Sequence, residues 1–222
     1  MSHAMLDAVL FDLDGTLLDS APDLTDAMNR LRHEHNLPPL PLATLRPVVG
    51  TGARGMLAVG FGVTPQDAAF EPLRVRFLSL YAEQLLQTST LFEQVPEMLS
   101  ALQRAGVAWG IVTNKATRFA EPIVRGLDTL APAQVLVCGD TTPQSKPHPE
   151  PLLHACRVLN VAPDRVVYVG DDERDIVAGR AAGTRTIAAA WGYLGQGEPI
   201  TAWGADAVHD QPIQLLKWLN LA

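Results

Sequence analysis

Short apolar runs and helical stretches alternate from about position 95 to the end of the chain. The apolar runs are rich in β-branched residues, which is typical of parallel strands covered on both faces. We predict strands at Ala108–Asn114, Val135–Asp140, Val166–Asp171 and Thr184–Ala190, with a weaker edge strand at Ala207–His209. We predict helices between them at Val95–Ala105, Thr117–Gly126, Pro149–Leu159 and Glu173–Ala182. This order predicts an α/β fold with a parallel sheet and crossover helices.

The N-terminal part of the chain has a different pattern. One strand is predicted at Ala8–Phe11, but from about Ala21 to Gln87 apolar residues recur only at helical spacing. The segment Ser20–Asp23 resembles a capping box with proline near its start, so the first helix should begin there. We therefore predict a core of residues 1–17 and 89–222, a helical cap of residues 18–88, and a cleft between them.

The composition excludes several classes of protein. The 222 residues carry 17 basic and 24 acidic side chains, a formal charge of −7, and 47% of them are hydrophobic. A chain of this length buries a core without metals or cross-links. Because it is acidic and lacks clusters of Lys and Arg, neither nucleic acid nor an anionic membrane is an expected partner. We expect small-molecule partners, and the composition leaves the oligomeric state open.

The N-terminal sequence and the two cysteines indicate in which cellular compartment the protein is expected. No apolar run is long enough to span a bilayer and no signal peptide is recognisable, so a cytoplasmic protein is expected. Cys138 and Cys156 lack metal-ligand spacing and are predicted to be reduced and mostly buried. The segment Met1–Ala4 is either native or a remnant of expression, because the apolar pattern restarts at Met5.

The first predicted strand ends in a pair of aspartates. Asp12 and Asp14 are two residues apart and point the same way from an extended segment, while Gly15 lets the backbone turn away. Two carboxylates this close repel, so one can stay protonated while a cation keeps the other ionised. The pair suits a nucleophile beside a general acid. The alternative is an aspartate-rich turn.

The other strand ends carry groups that complement this pair. Thr113 and Asn114 can donate to phosphate oxygens or cap the next helix, and Lys146 precedes Pro147 in a loop where a lone lysine is usually solvated. The acidic run Gly170–Asp175 suits a hard cation such as Mg²⁺. Since these ends converge on one crevice, they supply a nucleophile, a cation and donors for phosphoryl transfer.

These strand ends form four motifs in chain order: Asp12–Thr16, Thr113–Asn114, Lys146–Pro147 and Gly170–Asp175. The four motifs resemble those of the haloacid dehalogenase superfamily of phosphatases, and the resemblance covers essentially the whole chain. It implies a Rossmann-like parallel-sheet core with an inserted α-helical cap that closes over small substrates. It also implies that Asp12 is the nucleophile that forms an aspartyl-phosphate, and that Asp14 protonates the leaving oxygen and then activates water. Thr113 and Lys146, with Asn114, would hold the phosphoryl group.

The same resemblance implies a Mg²⁺ site. The ligands would be the carboxylates of Asp12 and Asp171 and the backbone carbonyl of Asp14, with Asp175 ordering the groups around the ion. Asp172 is a further candidate, although the superfamily does not require an acid at that position. Lys115 is expected to be structural, and the six histidines show neither triad nor metal spacing.

The cap is where the resemblance places substrate recognition. The segment Gly50–Arg54 resembles the substrate-facing loop of the superfamily's cap. Gly52 and Arg54, together with Arg46, are therefore candidates for specificity, since either arginine could pair with a substrate carboxylate. The alternative is that both arginines are simply exposed on helices.

Within the superfamily the chain most resembles phosphoglycolate phosphatases and the N-acetylmuramic acid 6-phosphate phosphatases of cell-wall recycling. We expect a phosphoglycolate phosphatase-like enzyme, with the second group as the alternative. Several stretches favour the second group: Val112–Lys115, Arg118–Pro122, Ser145–Pro147, Gly170–Asp172, Ala182–Thr186 and Trp203–Asp206. Both substrates carry a phosphate and a carboxylate, so the shared chemistry does not separate them.

Two other functions stay open at this point. A sugar-phosphate mutase uses the same motifs, whereas a dehalogenase has no use for Asp14 or Asp171. A phosphoacceptor receiver module also gathers acids, a hydroxyl and a lysine at strand ends. Receivers, however, place the acceptor aspartate on a middle strand and lack a large helical insertion.

Overall fold

The structure, a computed structural model, describes residues 6–221, so the segment Met1–Ala4 lies outside the described residues. Its strands are β1 Ala8–Phe11, β2 Leu18–Asp19, β3 Thr90–Leu91, β4 Ala108–Val112, β5 Leu136–Val137, β6 Val166–Gly170, β7 Arg185–Ala189 and β8 Ala207–His209. Six of them form a parallel sheet in the order β5-β4-β1-β6-β7-β8. The predicted α/β fold with a parallel sheet is confirmed.

Helices cover the sheet and form the insertion. They are α1 Ala21–Glu34, α2 Leu42–Leu45, α3 Gly52–Phe61, α4 Phe70–Glu83, α5 Val95–Arg104, α6 Thr117–Gly126, α7 Glu150–Leu159, α8 Glu173–Ala182 and α9 Gln214–Trp218. Short 3₁₀ turns lie at Arg46–Thr51, Pro163–Arg165 and Ile200–Ala202. Within the described chain, no helix has both the length and the apolar character needed to cross a bilayer.

The central strand explains the parallel architecture. All four residues of β1 are fully buried, because one face of the sheet packs into a core with Val9 and Phe11 and the other into a core with Ala8 and Leu10. A strand covered on both faces needs a continuous apolar run, which is what the sequence has. The register pairs Phe11 with residues of both β4 and β6, so the carboxyl ends of these three strands lie at one edge.

The helical insertion has a core of its own. Helices α1–α4 lie between β2 and β3 and bury Met28, Leu31, Leu45, Met56 and Phe77 together. Every one of these helices falls inside residues 18–88, which we retain as the proposed bounds of the cap. The amphipathic spacing in the sequence therefore reflects a second apolar core.

The observed strands are shorter than predicted at several ends. The prediction continued β5 to Asp140, but the Cys138 N–H donates to Thr141 Oγ1 at 2.8 Å and the Gly139 N–H donates to the Lys115 carbonyl at 2.9 Å. These bonds replace the regular ladder of the sheet. Thr113, Asn114 and Asp171 likewise lie just beyond their strands. A pattern of apolar residues does not reveal where side-chain bonds end a ladder.

The predicted capping box at Ser20–Asp23 is wrong. Ser20 makes no side-chain capping bond, because its hydroxyl donates to Asp14 Oδ1 at 2.5 Å. The Asp23 carboxylate instead accepts the backbone N–H and the hydroxyl of both Thr88 and Ser89. The two side chains thus tie the start of α1 to the core and to the chain leaving the cap.

Two short connections join cap and core at this point. Strands β2 and β3 pair antiparallel, Leu18 with Leu91, and were not predicted because each has only two residues. The hydroxyl of Tyr193 accepts the backbone N–H of Ser20 at 2.8 Å and of Ala21 at 3.0 Å. It also donates to Asp19 Oδ1 at 3.0 Å. Tyr193 therefore holds the entry to the cap against the loop after β7.

Gly15 allows the chain to turn directly after the first strand. Its φ is +88°, and a Cβ added there would lie 2.1 Å from Asp171 Oδ2. Gly183, at the end of α8, has a φ of +80° and would have nothing within 4 Å of an added Cβ. The two glycines thus share a backbone conformation but differ in their surroundings.

We expect Gly183→Ala to lower the free energy of unfolding by about 1 kcal/mol, the cost of the left-handed backbone. Gly15→Ala should lower the free energy of unfolding by roughly 1–3 kcal/mol more than Gly183→Ala does, because the new methyl group displaces the Asp171 carboxylate. Urea denaturation of both variants measures the difference. Equal losses would show that the approach of Gly15 to Asp171 does not constrain the fold.

Candidate active site

Three carboxylates, two of them buried and that of Asp12 partly buried, meet at the edge where β1 and β6 end. Asp12 directly follows β1, Asp171 follows β6, and Asp175 lies in the first turn of α8. One oxygen atom of each lies within 4.8 Å of the others. Asp171 is 3% exposed and Asp175 is 1% exposed. The fold thus brings together three carboxylates from distant parts of the chain. We call Asp12, Asp171 and Asp175 the acidic cluster.

Lys146 is the cation of this cluster. Its Nζ lies 2.9 Å from Asp12 Oδ1 and 2.7 Å from Asp175 Oδ1, and it donates to the Tyr168 hydroxyl at 2.7 Å. A fourth contact is the donation to the Val112 carbonyl at 3.0 Å. The side chain is buried, although a lysine in a loop is usually solvated. Lys146 pairs with two of the three carboxylates, so negative charge is in excess when all three are ionised.

The pKa values reflect this excess. Burial raises the pKa of Asp12 to about 6, and the negative charge of Asp175 adds to the rise while Lys146 opposes it. Burial also raises the pKa of Asp171 well above its ordinary value, helped by the charges of Asp12 and Asp175. Burial alone would lower the pKa of Lys146, but the same two aspartates outweigh it and raise that pKa. The cluster therefore needs further positive charge.

The cluster has the donor chemistry of a magnesium site. It offers carboxylate oxygens, the ligands preferred by hard cations. Asp12 Oδ1 is buried and, apart from its contact with Lys146 Nζ at 2.9 Å, has no hydrogen-bond partner within residues 6–221, so a cation can approach its remaining lone pair. The residues present therefore fit a divalent cation such as Mg²⁺, held by Asp12, Asp171 and Asp175. The Asp14 backbone carbonyl stays a prediction as a further ligand.

Asp172 lies outside the acidic cluster. Its carboxylate caps α8 by accepting the Arg174 backbone N–H, and the Arg174 guanidinium donates to both of its oxygens at 2.7 and 2.8 Å. Burial would raise the pKa of Asp172, but its hydrogen bonds to Arg174 outweigh burial and lower it. Arg174 also donates to the Gly50 carbonyl of the cap. Asp172 thus orients an arginine that connects core and cap.

Asp14 is held apart from the cluster by a second lysine. Lys115 Nζ lies 3.0 Å from both Asp14 oxygens, and the Ser20 hydroxyl donates to one of them. Burial would lower the pKa of Lys115, but the carboxylate of Asp14 outweighs it and raises that pKa. Lys115 Nζ also lies 4.7 Å from the ring centroid of Tyr81 in α4. Lys115, expected to be structural, is therefore the direct partner of the proposed acid.

Thr113 and Asn114 lie beside Lys146 but contact different groups. The Asn114 side-chain amide donates to the Lys146 carbonyl at 2.9 Å and accepts the Lys146 N–H at 3.0 Å, so it positions the lysine. Thr113 Oγ1 accepts the Lys115 N–H at 3.2 Å. Within residues 6–221 the Thr113 hydroxyl hydrogen has no acceptor, which leaves it free to donate to a phosphate oxygen.

A cavity of about 360 Å³ opens above these groups, between core and cap. Its floor holds Asp12, Asp14, Thr113 and the other polar residues described above. Its far wall is apolar and aromatic, formed by Leu24, Val49, Phe77, Leu78, Tyr81 and Phe119. The cavity therefore combines a charged floor with a wall suited to the carbon part of a ligand.

Of the three predicted specificity residues, Gly52 lines this cavity, as do Gly50, Thr51 and Ala53 of the predicted substrate-facing segment. Arg46 pairs with Asp19 at 2.7 Å and its guanidinium lies 5.6 Å from the centroid of the Tyr193 ring. Arg54 is exposed on α3 and is absent from the cavity wall. The structure does not bring either arginine into the site.

Several site residues were not recognised from the sequence. Thr16 Oγ1 donates to Asp171 Oδ1 at 2.9 Å, and the Tyr193 N–H donates to Asp171 Oδ2 at 2.8 Å. The Tyr168 hydroxyl donates to the Val112 carbonyl at 2.8 Å and lies 3.2 Å from Asp175 Oδ1. A tyrosine inside a fully buried strand was a usable signal, because its hydroxyl must find a partner. Tyr193 lies in an irregular loop, where no pattern identifies it.

Comparisons with known proteins agree with this architecture. A family model described as haloacid dehalogenase-like hydrolase matches residues 9–189. The chain is 46% identical over 222 residues to the N-acetylmuramic acid 6-phosphate phosphatase of Pseudomonas aeruginosa, covering 100% of this chain and 98% of that protein. It is 50% identical over 209 residues to the phosphoglycolate phosphatase of Xanthomonas campestris pv. campestris, covering 94% of each.

Among solved structures, that of a predicted phosphoglycolate phosphatase from Haemophilus somnus 129PT is similar over nearly the whole chain. The TM-score is 0.86 at 28% sequence identity, and the match covers 98% of this chain and 99% of that chain. The similarity therefore extends over both the sheet and the helical insertion.

We expect millimolar Mg²⁺ to raise the melting temperature of the protein, because a cation bound only to the folded state stabilises it. The gain is about 2.7 kcal/mol at a hundredfold excess over Kd, or roughly 5–10 °C for a chain of this length. Asp171→Asn should lose most of this rise, since it removes one ligand charge. Differential scanning fluorimetry with and without Mg²⁺ measures this rise in melting temperature for both proteins.

Asp128→Asn is the matched control, because Asp128 is exposed, follows the end of α6 and belongs to neither the acidic cluster nor the cavity lining. It removes the same charge and should keep the full Mg²⁺-dependent rise. Sodium chloride at equal ionic strength controls for screening. A rise in Asp171→Asn as large as in the unsubstituted protein would exclude the acidic cluster as the cation site.

Proposed function

The chain belongs to the haloacid dehalogenase-like hydrolases and is a phosphatase, and from this premise we propose that it hydrolyses N-acetylmuramic acid 6-phosphate in a Mg²⁺-dependent reaction with Asp12 as the nucleophile. The observation that carries the reaction type is the position of Asp12. Its carboxylate lies at the floor of the cavity, 2.9 Å from the Lys146 ammonium and beside two further carboxylates.

The first chemical step forms a bond between a carboxylate oxygen of Asp12 and phosphorus, while the bond from phosphorus to the leaving oxygen breaks. Lys146 and the Thr113 hydroxyl stabilise the negative charge on the phosphoryl oxygens. Both are buried beside Asp12, so their attraction is weakly screened by water. Asn114 contributes indirectly, by fixing the backbone of Lys146.

Asp14 completes the reaction as acid and then base. In its protonated form it gives a proton to the leaving oxygen. The resulting carboxylate then takes a proton from a water molecule as the water oxygen bonds to phosphorus, the bond from phosphorus to the Asp12 oxygen breaks and phosphate is released. Lys115 and Ser20 hold this carboxylate in place between the two steps. A bound Mg²⁺, held by Asp12, Asp171 and Asp175, would neutralise charge on the phosphoryl group and the cluster.

The cavity supports the larger of the two candidate substrates. Its volume of about 360 Å³ is in the range that encloses a ligand of drug size. A phosphorylated amino sugar would place ring faces and its acetyl methyl group against Phe77, Tyr81 and Phe119. 2-Phosphoglycolate has no carbon skeleton to cover this wall. The Pseudomonas aeruginosa relative, which aligns over the whole chain, supports the same substrate.

Phosphoglycolate hydrolysis is the second candidate. It is favoured by the relative from Xanthomonas campestris, which has the higher sequence identity over a slightly shorter alignment. The two candidates share the reacting groups and differ only in what fills the cavity. Activity on substrates of different size therefore separates them.

We expect kcat/KM for N-acetylmuramic acid 6-phosphate to exceed that for 2-phosphoglycolate by at least tenfold, a difference of about 1.4 kcal/mol in transition-state binding. Phosphate release in the presence of Mg²⁺ measures both rates, with Asp12→Asn as the blank. A tenfold preference for 2-phosphoglycolate would reverse the substrate assignment. Appreciable turnover by folded Asp12→Asn would refute Asp12 as the nucleophile.

The two roles of Asp14 are tested with p-nitrophenyl phosphate, whose leaving group needs no proton. We expect Asp14→Asn to release about one nitrophenolate per enzyme in a fast burst and then turn over slowly, because only the hydrolysis of the aspartyl-phosphate still needs the base. Stopped-flow absorbance measures the burst. A slow release without a burst would show that Asp14 is needed for the first step itself.

A further inference from the structure

The positively charged side chains that line the cavity differ in whether they are paired with a carboxylate. Four of them are already paired with carboxylates: Lys115 with Asp14, Lys146 with Asp12, Arg174 with Asp172 and Arg74 with Glu71. Arg118 also lines the cavity, and within residues 6–221 it makes no ion pair with a carboxylate. It is therefore the cavity cation whose charge is available to a ligand.

The surroundings of Arg118 argue against a purely structural role. It lies in the first turn of α6, where the helix dipole disfavours a positive charge. Asp140 is the nearby acid, but its carboxylate accepts the backbone N–H of Thr117 at 2.9 Å and the Thr117 hydroxyl at 2.5 Å. The charge of Arg118 helps to lower the pKa of Asp140, but within residues 6–221 the two form no ion pair, and the charge does not stabilise its own helix.

The ring of the adjacent Phe119 contacts this guanidinium beside the cavity. Its central carbon lies 4.6 Å from the centroid of the Phe119 ring, within the range of a cation–π contact. The Phe119 ring in turn lies 5.4 Å from that of Tyr81 in the cap, and both rings belong to the apolar wall of the cavity. A ligand that covers this wall would therefore reach Arg118 at its edge.

We propose that Arg118 binds the carboxylate of the substrate and so selects phosphate esters that carry a second anionic group. The phosphate lies over Asp12, Lys146 and Thr113, and the carbon skeleton covers the aromatic wall. The planar guanidinium then forms two parallel hydrogen bonds with the carboxylate. This specificity contact rests on the proposed function, because it requires a substrate that has both groups.

The test compares N-acetylmuramic acid 6-phosphate with N-acetylglucosamine 6-phosphate, which has the same phosphorylated amino-sugar ring but lacks the 3-O-lactyl ether that carries the carboxylate. The readout is the ratio of their kcat/KM values. We expect Arg118→Gln to lower this ratio by about tenfold to a hundredfold, the effect of losing a charge-assisted hydrogen-bonded pair. The loss should appear mainly in KM, because the carboxylate that Arg118 would contact keeps its charge throughout the reaction. Arg118→Lys should recover part of the ratio.

Arg125→Gln is the matched control. Arg125 lies on the same helix and is highly exposed, with a side-chain exposure of 77% and an ion pair to Glu121. It removes the same charge away from the cavity wall and should leave the ratio unchanged. A ratio in Arg118→Gln within twofold of the unsubstituted enzyme would overturn the proposal.

The outcome stays informative when the proposed substrate is wrong. When the unsubstituted enzyme prefers 2-phosphoglycolate, the proposed function fails, and the ratio is measured between 2-phosphoglycolate and ethyl phosphate. A tenfold fall of that ratio in Arg118→Gln would still support the carboxylate contact. An unchanged ratio would overturn it.

Discussion

The excess of negative charge around Lys146 is the constraint on which the rest of this structure depends. Asp12, Asp171 and Asp175 are packed together at the end of the sheet, and the buried Lys146 pairs with two of them, Asp12 and Asp175. Removing that lysine would leave Asp175 buried without a counter-charge, a change that typically costs several kcal/mol. The same imbalance favours a divalent cation and an incoming phosphate ester that Lys146 can attract. Stability and chemistry therefore depend on the same set of charges.

The surrounding elements keep these charges in place. At Gly170 an added Cβ would lie 2.3 Å from Asp175 Oδ2, so only glycine allows the strand to approach this carboxylate so closely. The cap is connected to the same region, because Arg174 contacts the Gly50 carbonyl and Lys115 contacts both Asp14 and the Tyr81 ring. Arg174 and Lys115, which lie beside the catalytic groups, thus also contact the cap that covers the cavity.

The sequence alone predicted the parts of this arrangement that follow from local rules. Buried parallel strands give continuous apolar runs, and their carboxyl ends must meet, so Asp12, Thr113 and Asp171 could be assigned to one edge. What could not be predicted depends on long-range contacts. Tyr193 follows a strand in an irregular loop, and the partner of Ser20 is set by the three-dimensional path of the chain between β1 and α1. The free charge of Arg118 is visible only once every neighbouring ion pair is known.

The central claim is that Asp12 carries the phosphoryl group during turnover. Its most direct test is a rapid acid quench of the enzyme during turnover of N-acetylmuramic acid 6-phosphate, followed by peptide mass spectrometry. The account predicts a phosphoryl group on the peptide that contains Asp12, lost on incubation at neutral pH as expected of an acyl phosphate. Phosphate release with no phosphorylated peptide at any quench time, or a phosphoryl group on another residue, would contradict it.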